Sequence, residues 1–331
     1  ERSRMSDYLN TSVLLVGAGK MAIAYTKVLQ ALNLRMTVVG RCENTALAFQ
    51  QVTGVPAASG GLEQWLLTHK SQIPTAAIVA VSINQLKSVT AALIEAGVKR
   101  ILVEKPAGVD GIELQYLSDL ATKSGADVRV AYNRRFLASV LAARQACQED
   151  GGLLSMHFEF TEWTSRIGQG SHPDEVLANW FLANSTHVVD LAMFLGGTPV
   201  QISSFVARGL DWHPQASVFS GAGITDSGTL FSYHANWESA GRWGIELRTR
   251  KRRLLLCPLE ELQEQIRDTI VVTGVDIDDR LDREFKPGFY RQAQAFLQGQ
   301  DIASLPTIQE HAQRNEKIYQ QIVSGPATVH S

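Results

Sequence analysis

The chain has 331 residues, of which 45% are hydrophobic and 19% charged, and its formal net charge is −2. That length exceeds one ordinary core and suits two domains. The balanced charge argues against a nucleic-acid or membrane-surface partner, and every apolar stretch is interrupted before it is long enough to span a bilayer. Three widely spaced cysteines, Cys42, Cys147 and Cys257, give neither a disulfide framework nor a zinc site. They read as reduced thiols in a cytoplasmic protein. No signal peptide is visible, and ERSRM ahead of Met5 reads as a cloning remnant.

The first 130 residues alternate short apolar runs with helical periods. Strands are expected at 12–17, 36–40, 75–81, 100–104 and 128–132. Helices are expected at 20–32, 42–52, 84–97 and 110–125. Gly97 and Gly125 supply the expected helix stops. Continuous apolar strands between helices predict a parallel sheet covered on both faces. After about residue 150 the runs lengthen and alternate, at 153–163, 201–212, 229–238, 242–250 and 252–259. That pattern predicts an open antiparallel sheet with one face buried and one free and apolar. Helices there are few: 174–195, 288–298 and 307–323. The reading is α/β, with a dinucleotide-binding domain at 5–130 followed by an α+β domain at 131–331.

The first strand runs into GAGKMA, residues 17–22. Gly17 permits the tight turn, Gly19 lets a pyrophosphate approach the backbone, and Ala22 lets the helix pack closely on the strand. Ala18, Lys20 and Met21 fill the turn, and the helix N-terminus offers free N–H groups to phosphates. The second strand ends in VVGRC. No carboxylate stands there to accept bonds from ribose hydroxyls, and Arg41 is placed to meet a 2′-phosphate. NADP is therefore the preferred expectation for the cofactor, with NAD as the alternative.

GAGKMA at 17–22, VEKPA at 103–107, YNRRF at 132–136 and HVVDLAMFLGG at 187–197 occur in this order. Together they resemble the Gfo/Idh/MocA oxidoreductases (glucose-fructose oxidoreductase and inositol dehydrogenase), over most of the chain. The resemblance implies a Rossmann domain, then an open antiparallel sheet domain, and nicotinamide-dependent oxidation or reduction of a sugar or nucleotide-sugar. It makes Lys105 the catalytic lysine beside the nicotinamide ribose, with Glu104 orienting it and Pro106 turning the chain sharply, at an X-Pro bond able to take the cis form. A cation at a strand end stabilises charge developing on the substrate oxygen. His187 is the implied proton-exchanging residue, and Asp190 orients or caps.

This chain departs from the family pattern at two places. Ala183 stands four before His187, where the family often has Asp, with Asn184 one step on. SINQLK (82–87) replaces Thr-Pro-Asn-x-x-His, keeping Asn84 and putting Lys87 in place of the histidine. Ser82, Asn84, Glu104, Lys105, Pro106 and Asn133 complete the expected cofactor set. Arg134 or Arg135 would bind a phosphate or carboxylate of the substrate. Glu162, Trp163, Trp180, Asn184 and Trp237 join Lys105, Arg134 and His187 as candidate substrate residues, because aromatic faces beside polar groups suit sugar rings. Asp211, Trp212, His213, His234, Arg242 and Trp243 thicken the same aromatic load. The acidic segment 277–282 reads as a solvated loop, and no metal is expected. A homodimer or homotetramer through the second sheet is expected. A dinucleotide-binding sensor or scaffold, or a glycosidase that uses bound cofactor transiently, would show the same motifs.

Overall fold

The computed structural model describes residues 12–168 and 170–325; the ERSRM stretch and Met5 lie outside them. Two compact units emerge. One comprises the described residues up to 133 together with 284–313, and the other comprises 134–283 together with those from 314 onward. The sequence had placed everything after residue 130 in one domain. The chain instead returns to the first unit for thirty residues.

The first unit holds a parallel sheet. Its strands are β1 (Ser12–Val16), β2 (Arg35–Val39), β3 (Ala57–Ala58), β4 (Ala76–Val79), β5 (Arg100–Glu104) and β6 (Asp127–Ala131). Their order is β3-β2-β1-β4-β5-β6. Val13, Leu14, Leu15, Ala76, Ala77 and Ile78 are fully buried, as strands covered on both faces must be. The strand order reverses between β1 and β4, the point where doubly wound sheets bind ligands. The returning segment brings helix Phe289–Gln298, opened by Gly288 at φ 80°. An added Cβ there would strike the Asn133 carbonyl. Phe289 and Phe296 are fully buried, and Phe289 packs on Tyr25 with ring centroids 4.6 Å apart.

The second unit holds an eight-stranded sheet: β7 (Ser155–Phe160), β8 (Pro199–Ala207), β9 (Val218–Thr225), β10 (Leu230–Asn236), β11 (Trp243–Arg248), β12 (Arg252–Leu256), β13 (Gln263–Ile266) and β14 (Val272–Gly274). The order is β14-β13-β12-β11-β7-β10-β9-β8. All neighbours are antiparallel except β7 and β10, which run parallel. Phe158, Phe160, Phe219 and Tyr233 point inward and are buried. The outer face corrects one expectation. It is not apolar: it carries His157, Glu159, Ser232, His234, Glu246 and Arg253, with His157 Nδ1 2.9 Å from Ser232 Oγ. Exposed apolar side chains on it are few, chiefly Phe205 and Leu230. The strand expected over 201–212 stops at Ala207, where Arg208 takes φ 61°.

The long helix expected at 174–195 is compound. An α-helical turn at Asp174–Ala178 is followed by a π-helical segment at Phe181–Ser185 and an α-helix at Thr186–Gly196. A second π-helical segment, Asn315–Tyr319, divides the last helix. The acidic segment is partly helical, Arg280–Glu284, and Asp282 accepts a 2.7 Å bond from the Ala138 amide. Among the described residues no helix is long and apolar enough to cross a membrane.

Candidate functional site

In the first unit the chain leaves β1 through Gly17, at φ +125°. Its N–H donates to the Val39 carbonyl at 2.8 Å, and the Ala80 N–H donates to the Val16 carbonyl at 2.8 Å. These bonds press the turn against the end of β4. A Cβ on Gly17 would collide with the Ala80 carbonyl oxygen, whereas one on Gly19 would meet nothing within 4 Å. Gly17 is therefore needed for the turn, and Gly19 faces open space at the N-terminus of helix Lys20–Ala31. No side chain caps that end, so its leading N–H groups remain for an anion.

A cavity of about 330 Å³ opens here, lined by Gly17, Ala18, Gly19, Lys20, Met21, Arg41 and Ser82. Cys42, Thr45, Ala80, Val81 and Gln85 complete it; sequence reasoning missed them, although each lies within four residues of an expected one. Arg41 and Gln85 also wall a neighbouring cavity of about 270 Å³ beside Gly60 and Gly61. Arg41 thus borders both spaces. The cradle fits a dinucleotide: close backbone approach, free amides and one guanidinium.

Asn84, Glu104, Lys105, Pro106 and Asn133 do not line that cavity. Lys87 has its ammonium 4.6 Å from the Tyr116 ring centroid. The Lys105–Pro106 bond is cis, and His311 Nε2 lies 2.9 Å from the Pro106 carbonyl oxygen; since a carbonyl only accepts, that nitrogen carries the proton. Glu104 is buried. It accepts a 2.6 Å bond from the Tyr25 hydroxyl, which itself accepts one of 2.9 Å from Gln292 Nε2. Burial raises the Glu104 carboxyl above its ordinary value; the Tyr25 hydrogen bond and the Lys105 and Lys286 charges oppose the rise. Burial also pushes the Tyr25 hydroxyl well up. Asn133 spends its amide on the Pro287 carbonyl at 2.9 Å.

In the second unit, Arg135 is committed to structure. Its Nε and Nη2 donate to both oxygens of Asp190 at 2.7 Å, and Arg314 reaches Asp190 Oδ1 at 2.7 Å. Asp190 is 1% exposed, so its part here is to bind these two arginines. Arg134 lies over the Trp243 ring, 4.8 Å from its centroid. The π-helical segment turns two successive side chains onto one carboxylate. Asn184 Nδ2 donates to the two Glu162 oxygens at 3.1 and 3.0 Å, and Ser185 Oγ donates to Oε1 at 2.8 Å.

Ala183 is buried and provides no acid. His187 is also buried, its ring 5.7 Å from that of Trp243. Trp180 is buried against His172 and Trp212. Trp237 belongs to the core, packed on His213 and Phe219, with its N–H on the Phe160 carbonyl at 3.2 Å. Trp163 is 39% exposed. Within this unit, then, Arg134, Glu162, Trp163, Asn184 and His187 form a connected group joined through Arg242 and Trp243, while Trp237 stands apart in the core.

Residues 11–132 match the family model of the Gfo/Idh/MocA oxidoreductases, described as an oxidoreductase family with an NAD-binding Rossmann fold. No curated protein matches the chain by sequence. Solved structures share the fold across nearly its whole length. A UDP-N-acetylglucosamine 3-dehydrogenase from Acidithiobacillus ferrooxidans is 16% identical, with a TM-score of 0.70 over 96% of this chain and 98% of that one. A levoglucosan dehydrogenase in complex with NADH is 17% identical, with a TM-score of 0.72 over 92% and 94%. An NAD-binding oxidoreductase from Klebsiella pneumoniae is 16% identical, with a TM-score of 0.71 over 95% and 96%.

Proposed function

Given a chain whose residues 11–132 carry the Rossmann domain of the Gfo/Idh/MocA oxidoreductases, we propose that this protein is a nicotinamide-dependent dehydrogenase. Its substrate is a sugar or nucleotide-sugar, reacting at a hydroxyl or carbonyl carbon. The observation that carries this reading is the Gly17–Gly19 cradle, pressed against β4 and open toward free helix amides. The shared fold with a UDP-N-acetylglucosamine dehydrogenase and a levoglucosan dehydrogenase supports the substrate class.

The bound cofactor supplies or accepts the hydride. NADP is preferred, because Arg41 walls the cavity with no carboxylate at the tip of β2 to bind a free ribose diol. Lys105 stabilises negative charge on the substrate oxygen. His187 exchanges the hydroxyl proton. With Ala183 where the family often has Asp, these two residues carry the proton chemistry between them. Buried Glu162 serves instead to hold Asn184 and Ser185 in the segment that leads into His187.

The test titrates NADP and NAD by fluorescence, then measures turnover over a panel of sugars and nucleotide-sugars. Lys105→Ala and His187→Ala should each lower kcat by about 100-fold or more, the range for general acid–base groups, with cofactor affinity nearly unchanged. Full activity in both variants would overturn the assignment. Cofactor binding with no turnover on any member of the panel would favour a sensor.

A further inference from the structure

Three guanidinium groups and two indoles of the second unit interleave. Arg166 and Arg242 both lie over the Trp163 ring, 4.6 and 4.4 Å from its centroid. Arg242 also lies 4.4 Å from the Trp243 centroid, and Arg134 lies 4.8 Å from the same ring. The run Arg166–Trp163–Arg242–Trp243–Arg134 thus leads from an exposed indole to a buried one, and the buried one faces His187 at 5.7 Å. Trp163 is held by its own N–H, which donates to the Gly241 carbonyl at 2.8 Å.

A guanidinium stacked on an indole keeps its N–H edge available for an anion, in the bidentate geometry that carboxylates and phosphates accept. The nearby carboxylate of Glu162 pairs with Arg242 only at long range, leaving the hydrogen-bonding edge of that guanidinium unspent on it. Glu162 is satisfied at both oxygens by the neutral donors Asn184 and Ser185, and its approach to Arg242 is 3.9 Å, beyond hydrogen-bond range. Among the described residues no carboxylate lies within hydrogen-bond distance of Arg166 or Arg242. A second observation is independent of charge. Trp243 is 5% exposed, and its buried indole N–H has no acceptor among the described residues. A buried donor left in that state is costly unless an incoming oxygen satisfies it.

We propose that this ladder is an anion subsite and that the substrate is an acidic sugar, carrying a carboxylate or a phosphate ester read by Arg242 and Arg166. The inference rests on the reading of His187 as a substrate-side residue, and it narrows the substrate class from sugars in general to anionic ones. Trp163 then serves as a platform for arginines rather than for a sugar ring. Its role in positioning replaces the stacking role expected from the sequence.

Calorimetry with four probes tests this: D-glucuronate, D-glucose 1-phosphate, UDP-glucose and uncharged D-glucose, each with and without NADP. Wild-type protein should bind at least one of the three anions at least tenfold more tightly than D-glucose, and added salt should weaken that binding. The preferred probe separates a sugar carboxylate from a sugar phosphate or diphosphate. Arg242→Ala and Arg166→Ala should each weaken it about tenfold, with circular dichroism unchanged. Arg242→Lys should fail to restore it, because an ammonium neither stacks nor forks. The proposal is overturned if D-glucose binds as tightly as every anion. It is likewise overturned if no anion binds below about 10 mM, or if both alanine variants retain wild-type affinity. NADP titrated in parallel keeps the two readings apart: loss of NADP binding counts against the dehydrogenase reading, while the anion result stands on its own.

Discussion

Glu104 is the residue whose surroundings say most about ionisation. The sequence reading makes it an orienting partner of Lys105 and a member of the expected cofactor set. The structure buries it between the Tyr25 hydroxyl and two lysine charges, and burial dominates, lifting its carboxyl above the ordinary 4.5. A raised acid contributes stability that is complete below the unfolded-state value and is lost as pH rises through the folded-state value. Glu104→Gln keeps an acceptor for Tyr25 and removes the buried charge. The variant should therefore show a flatter thermal midpoint between pH 5 and 8 than wild type, and a midpoint at pH 8 at least as high. Differential scanning calorimetry across that range decides it; a steeper loss in the variant would refute the buried-carboxyl account. Gly17 makes the complementary point. Its glycine was legible because a strand, a turn and a helix meet there, and a Cβ has no room beside Ala80. Tyr25 and Gln292 were not legible, because they lie 79 and 188 positions from Glu104 and nothing local announces a long-range hydrogen bond.

Among elements, the π-helical segment Phe181–Ser185 has the clearest chemical consequence. In a regular helix, adjacent side chains diverge by about 100°. Here Asn184 and Ser185 both reach Glu162. π-helical turns are rare and tend to sit at functional sites, and this one leads directly into His187. Ser185→Ala should cost about 1.5–3 kcal/mol, the range for a hydrogen bond to a charged partner. Urea denaturation measures it, and a loss under about 0.5 kcal/mol would show that Glu162 needs no help from Ser185. The elements that sequence reading missed share physical causes. β9 carries Gly221 and Gly223, poor strand formers by propensity, yet a Cβ at either would strike the Tyr233 or Phe231 ring on β10. β13 reads QEQI, too polar to announce a strand. Helix Ala138–Glu149 buries only a narrow face, Val140 and Ala143 among it. The parallel strands were legible because burial on both faces leaves them continuously apolar.

For the whole molecule, self-association remains the proposal, now resting on a narrower apolar basis than the sequence suggested. Phe205 at 54% and Leu230 at 59% exposure sit among polar neighbours on the outer sheet face. The turn between β13 and β14 exposes Ile270 and Val271, and the edge strand β14 exposes Val272; an uncovered edge strand invites pairing with another chain. We expect a dimer or tetramer in light scattering at micromolar concentration, and Phe205→Glu with Leu230→Glu should shift it toward monomer. A wild-type protein that stays monomeric would reject the proposal.

The excursion of residues 284–313 back to the first unit also has a bearing on synthesis. A ribosome releases β1 through β6 early, with the Gly17–Gly19 turn already made. Gln292 and Phe289, which close over Tyr25, emerge only after the whole of the second sheet has been made. The first unit therefore waits, with Tyr25 and its surrounding apolar surface uncovered, while some 150 residues of another unit are translated ahead of helix Phe289–Gln298. A fragment ending at residue 133 would be left permanently in that condition. Supplying residues 284–313 as a separate peptide is the minimal means of relieving it.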